Sequence, residues 1–128
     1  MAGYIAKGAV VTCSDARIAD TVEGWLFARY DLGLVDRIIR PGATAYGESV
    51  LLEIVELHGL HHFPELTLAH HTDCGKLPEN DRNDHIRQMK AFATRLHERI
   101  PEVIVQIALV HTHEEYVEIV ETLYDVST

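Results

Sequence analysis

Two short stretches of this sequence hold most of the side chains that could do chemistry. The first is Cys13-Ser14-Asp15-Ala16-Arg17 and the second is His71-Thr72-Asp73-Cys74-Gly75. Together they offer two thiols, an imidazole, and a carboxylate with a guanidinium beside it. Thiolate and imidazole are the ligands that borderline-soft zinc prefers. His71 and Cys74 lie three apart, so one tight turn could aim both at a single ion. With Cys13 they would make three protein ligands and leave a tetrahedral ion its fourth position, the pattern of a catalytic site. Each piece is weak alone. A cysteine at a strand end is more often a small core hydrophobe. Asp15 and Arg17 also read as an ordinary turn salt bridge of little energetic weight. A Cys13–Cys74 disulfide would leave His71, Asp15 and Arg17 without a role.

The elements around these stretches decide whether they can meet. Ala9, Val10, Val11 and Thr12 make a β-branched run that ends at Cys13 and reads as a buried strand. Asp20 or Thr21 can cap a helix through Val22, Trp25, Leu26 and Arg29. Residues 35–39 read as a second strand, broken by Pro41-Gly42. A second helix starts near Ser49, with Gly59 suited to the position after its end. Residues 66–69 form a third strand running into His70 and His71. A third helix covers about 82–99 and Pro101 stops it. Residues 103–110 are a fully apolar fourth strand. The tail 114–124 places Val117, Val120 and Leu123 at helical spacing behind an acidic first turn, and predicts a last helix.

Such alternation predicts an α/β fold, one domain over residues 1–128, with a parallel sheet and helices on both faces. Ligands of such sheets bind beyond the carboxyl ends of the strands, where strand order reverses. The two chemical stretches follow the first and third strands. They face each other if those strands are neighbours.

Composition bounds the partners. The 128 residues carry 11 basic and 20 acidic side chains, a net charge of -9. That suits neither nucleic acid nor an anionic membrane surface, because phosphate neutralisation carries the first affinity and basic residues the second. No apolar run approaches the roughly 20 residues of a membrane span. The N-terminus has no apolar leader pattern, so the expected address is the cytoplasm. There the two cysteines are free thiols or metal ligands.

Cys-x-Asp-x-Arg after the first strand and His-x-x-Cys-Gly after the third resemble the paired signature motifs of β-class carbonic anhydrases. The stretch Ala69-His70-His71-Thr72-Asp73-Cys74-Gly75 is similar to the short, archaeal-like branch. The resemblance covers roughly residues 5 to 76. It implies strand order 2-1-3-4 and Zn2+ on Cys13, His71 and Cys74. The fourth ligand is water or Asp15, and Arg17 pairs with Asp15 to hold it off the metal. It further implies reversible hydration of carbon dioxide to bicarbonate by metal-bound hydroxide, in a homodimer or higher homo-oligomer. Relatives carry an N-terminal arm that embraces a partner, and Met1 to Tyr4 leave no room for one. Arg40, Gly42, His70 and Gly75 are candidates for the pocket wall or for support behind the ligands. The family usually has Arg-Asn-Ala-Gly after the second strand. Here the residues are Arg40-Pro41-Gly42-Ala43.

Two alternatives follow. The same zinc site could act on another linear molecule, carbonyl sulfide or carbon disulfide. Or the altered loop marks a zinc-binding homologue that binds or regulates without turnover. Iron or cobalt also suit such ligands. A cysteine phosphatase is excluded, since its loop needs five residues between Cys and Arg and this chain has three between Cys13 and Arg17. His58, His61 and His62 suit a helix end. His111 and His113 are too few for a second metal, Trp25 reads as core, and Asp73 and Lys76 read as local hydrogen-bonding residues.

Overall fold

A computed structural model describes residues 4–31, 34–72 and 82–125. The elements are β1 (Gly8–Thr12), α1 (Ala19–Tyr30), β2 (Val35–Ile39), a 3-10 turn (Ala43–Tyr46), α2 (Glu48–His61), β3 (Glu65–His71), α3 (Arg82–Arg99), β4 (Ile104–His111) and β5 (Tyr116–Leu123). One sheet holds the strands in the order β2-β1-β3-β4-β5. The first four are parallel in the expected order. β5 adds to β4 antiparallel.

Burial follows the pleat, because successive strand residues point to opposite faces. Val11, Leu66, Leu68, Ile107 and Leu109 pack with Ile54 of α2 and with Met89 and Leu96 of α3. Val10, Ala69, Ala108 and Val110 turn the other way, onto Val22 and Leu26 of α1. A sheet covered on both sides takes continuous apolar strands; β1 is such a run, whereas β4 is interrupted by buried Gln106, whose Oε1 accepts the Thr67 hydroxyl at 3.1 Å. β1 lies between β2 and β3, so the chain departs from it in opposite directions on either side. The crevice this opens lies at the carboxyl ends of β1 and β3.

Three expectations need correction. The tail is a strand, not a helix. Its register with β4 slips between Ile107 and Ala108. Val117 and Ile119 join the α1-side cluster, whereas Val120 and Leu123 pack on the α2–α3 side. A bulge inserts one residue and shifts the alternation, leaving apolar positions at 117, 120 and 123 that mimic helical spacing. The sheet is therefore mixed rather than wholly parallel. α1 is capped by Ile18, with no side-chain cap bond, in place of Asp20 or Thr21. Asp20 instead sits in the first turn, where its charge suits the helix dipole. α2 runs past Gly59 to His61, and the left-handed residue that ends it is His62, φ 50°.

Two glycines of this frame carry opposite constraints. A Cβ on Gly8 would lie 2.5 Å from the Tyr30 hydroxyl oxygen, and that hydroxyl donates to the Glu65 carboxylate. Arg29 donates to the same carboxylate, so the end of α1 is tied to the start of β3. Gly24, in mid-α1, has nothing within 4 Å of its Cβ position. Gly8→Ala is expected to cost about 1–3 kcal/mol by overpacking. Gly24→Ala is expected to add about 0.5–1 kcal/mol by helix propensity. Urea unfolding of both variants checks the pair, and equal signs would contradict it.

Candidate metal centre

Thr12 pairs with Ala69 across β1 and β3. Cys13 follows that pair and His71 closes β3, so both leave the sheet at one carboxyl edge. Cys13 is buried and its sulfur accepts the Gly42 N–H at 3.2 Å. The turn that delivers this N–H is stitched to β1, with Arg40 N–H on the Thr12 carbonyl at 3.0 Å and Ala43 N–H on the Arg40 carbonyl at 2.9 Å. Gly42 and Ala43 both have positive φ, 74° and 54°. Glycine takes that region freely, whereas Ala43 costs on the order of 1–3 kcal/mol. An N–H aimed at sulfur suits a thiolate that ligates a metal.

His71 is 1% exposed. Its Nδ1 lies 2.8 Å from the Thr72 carbonyl oxygen. A carbonyl only accepts, so Nδ1 carries the proton and Nε2 offers a bare lone pair. That Nε2 is buried and has no hydrogen-bond partner among the described residues. The nearby charged atom is Asp15 Oδ2, at 3.8 Å. A buried, unsatisfied ring nitrogen is costly, and a soft divalent cation would satisfy it. The donor set therefore fits zinc.

Asp15 is held by Arg17. Oδ1 accepts the Arg17 backbone N–H at 2.8 Å and Nε at 3.0 Å, while Oδ2 accepts Nη2 at 2.6 Å. The guanidinium bonds, then the backbone bond, bring the Asp15 carboxyl down to about 2. Behind Asp15 a cavity of about 140 Å³ opens between β1, α1 and β2, lined by Thr12, Cys13, Ile18, Val22 and Ile39. That is the space of four or five waters at about 30 Å³ each. Its walls are mostly apolar, with Ser14, Asp15 and Glu23 also lining it, and the buried Thr12 Oγ1 has no hydrogen-bond partner among the described residues.

The remaining candidates are placed as follows. Cys74 and Gly75, like Asp73 and Lys76, lie outside the described residues. Among the described residues no three ligand side chains converge. Arg40 turns its side chain to Glu53 of α2, 2.6 Å away, while its backbone anchors the turn. His70 points to the α2–α3 face. Its Nε2 meets Thr44 Oγ1 at 2.7 Å and its Nδ1 meets His85 Nδ1 at 3.1 Å. Burial above all, with His85 next, pushes His70 down to about 3, so it is neutral at any physiological pH. His61 pairs with buried Asp36 at 2.7 Å, far down the sheet from Cys13. His111 is bound by Glu118 at 2.9 Å and stacked on Tyr116. Trp25 is half-buried beneath the Arg29 guanidinium. Sequence reasoning missed Thr44, His85 and Thr112, whose hydroxyl touches His71 Nδ1 at 3.4 Å. Thr112 directly follows β4, so the rule that chemistry gathers at strand carboxyl ends could have found it.

Residues 5–121 match a family model described as "Putative carbonic anhydrase". The chain belongs to this carbonic anhydrase family. Known structures show the same fold. A carbonic anhydrase from Glaciozyma antarctica is 19% identical, with 90% of this chain and 82% of that one aligned at a TM-score of 0.69. One of two tetrameric β-carbonic anhydrases from the ascomycete Sordaria macrospora is 14% identical, over 92% and 82% of the chains, at 0.59. A carbon disulfide hydrolase is 10% identical, over 88% and 77%, also at 0.59. No curated protein sequence matches.

The Asp15–Arg17 pair sets a pH dependence. The fold favours ionised Asp15, so its stabilising contribution is complete above the ordinary value of 3.8 and is lost as pH falls through about 2. Carboxyl-carbon NMR on metal-free protein is expected to give Asp15 a midpoint near 2. Arg17→Gln should return it toward 3.8. A midpoint unmoved by that substitution would remove Arg17 as the cause.

Proposed function

We propose that this protein hydrates carbon dioxide reversibly to bicarbonate, using zinc held by Cys13, His71 and Cys74. The observation that carries this reading is the bare, buried Nε2 of His71 at the Cys13 edge, in a chain of the carbonic anhydrase family. Bound there, zinc would supply Lewis acidity and bring the ionisation of water toward neutral pH. The protein's own groups do the rest. Asp15, kept ionised and aimed by Arg17, accepts a hydrogen bond from the reacting water and turns its lone pair toward carbon. The apolar cavity beside Cys13 and Asp15 keeps out bulk water and admits a small, neutral, linear molecule. The Gly42 N–H steadies the Cys13 sulfur.

A second reading keeps the site and changes the substrate to carbonyl sulfide or carbon disulfide. It stays open because a carbon disulfide hydrolase shares this fold. A homologue that binds zinc without turnover is the third reading, and the strained Arg40-Pro41-Gly42-Ala43 turn favours it. We further propose a homo-oligomer working in the cytoplasm. Phe27, Leu34 and Ile39 are exposed in and around edge strand β2, and the Sordaria macrospora enzymes are tetramers.

Stopped-flow hydration on zinc-quantified protein tests the first reading. The rate is expected to rise with pH between about 6.5 and 9, around the ionisation of metal-activated water. Cys74→Ser should lose zinc and activity together. Asp15→Asn should keep zinc and lose about 100-fold or more in rate, the scale of a positioned proton acceptor. Zinc-loaded protein that ignores carbon dioxide but consumes carbon disulfide would establish the second reading. Zinc with neither activity would establish the third.

A further inference from the structure

The carboxyl ends of β3 and β4 are joined by a closed set of hydrogen bonds between two threonines. The Thr112 hydroxyl donates to the Thr72 carbonyl at 2.7 Å. The Thr72 hydroxyl donates to Thr112 Oγ1 at 3.2 Å and accepts the Thr112 backbone N–H at 3.1 Å. The Thr72 N–H bonds the Val110 carbonyl at 3.1 Å. Each hydroxyl thus both donates and accepts. The proton directions are forced, because the carbonyl and the N–H can each play only one part.

The Thr72 carbonyl takes a second donor, His71 Nδ1–H. Both of its lone pairs are used, and each donor fixes where the other can lie. The imidazole is therefore locked in one tautomer and one orientation. Its Nε2 lies 3.8 Å from Asp15 Oδ2. Thr72 is also two residues before Cys74 in the sequence.

We propose that Thr112 is a positioning residue for the metal centre: with Thr72 it clamps the His71 ring across the β3–β4 pair. The inference rests on the zinc reading above, but the clamp's hydrogen bonds lie wholly among the described residues. The clamp needs the hydroxyl rather than the bulk of Thr112, which is 8% exposed. Outer hydrogen bonds of this kind typically contribute 10–100-fold to metal affinity.

Two measurements on metal-free protein and one with zinc test it. Long-range nitrogen–proton NMR is expected to show wild-type His71 as the Nδ1–H tautomer. Thr112→Val keeps the shape and removes the hydroxyl, and should give a mixture of tautomers. Zinc affinity, measured by competition with a chromophoric chelator, should fall about 10–100-fold in Thr112→Val and stay within about threefold in Thr112→Ser. Thr72→Val, which removes the other hydroxyl, is the second variant should Thr112→Val fail to fold. A single Nδ1–H tautomer and wild-type affinity in whichever variant folds would overturn the clamp. So would equal losses in Thr112→Ser and Thr112→Val, which would mark a packing role. If the wild type binds no zinc, the zinc reading fails, and the tautomer populations still decide the clamp.

Discussion

The site depends on one pairing, that of β1 with β3 in parallel. Thr12 sits opposite Ala69, so the residues just beyond them are brought to the same edge from positions almost sixty apart in the chain. Parallel strands cannot be joined by a tight turn, and the crossover must lie over a face of the sheet. The chain accordingly spends α1, β2 and α2 between the two strands. β2 falls on the far side of β1, and that reversal leaves the crevice. Its carboxyl edge then receives three pieces at once: the end of β1, the end of β3 and the turn after β2 that brings Gly42 to the Cys13 sulfur.

The pleat sets the second constraint. His70 and His71 are consecutive in a strand, so they must point to opposite faces. His71 enters the crevice with one nitrogen protonated against a carbonyl and the other bare. His70 enters the apolar layer between the sheet and α3, where a charged imidazole would be expensive. It is held neutral, with Thr44 on one nitrogen and His85 on the other. Thr44 belongs to the same turn as Gly42. The partner that satisfies His70 on one face therefore helps hold the turn that serves Cys13 on the other. Polar burial here links the two sides of the sheet.

Much of this was legible in the sequence, and what was not has identifiable causes. The limits of β2 and α3 could be read because Pro41-Gly42 breaks the one and a clean 3/4 apolar stripe marks the other, while the four-strand order came from the family resemblance. Spacing gave Asp15 and Arg17 as an ordinary turn salt bridge, and only the family resemblance gave that pair its place at the site. β5 was misread because one bulge residue turned a period of two into a period of three. The caps of α1 and α2 were misplaced because Ile18 and His62 fill positions that side-chain chemistry would assign to Asp20 and Gly59. Thr112 was invisible to local reading. It lies 40 residues from Thr72, and a lone threonine after a strand looks like any turn residue. Only register brings the two together.

The same frame accounts for an apparent mismatch between an acidic protein and a site proposed to make an anion. A net charge of -9 would oppose the gathering of anionic substrate by long-range attraction. On the proposed reading, a neutral linear molecule is indifferent to that field and enters by its affinity for apolar walls. Once hydrated it carries charge, in a pocket bounded by Ile18, Val22, Ile39 and the ionised Asp15. Every one of those groups favours its departure. Arg17, the cation beside Asp15 among the described residues, is engaged through both carboxylate oxygens, which blunts its hold on the product. Tethering Arg17 in this way keeps Asp15 ionised for the forward step and keeps a strong anion trap out of the exit. That is the balance a reversible hydration of a neutral gas requires.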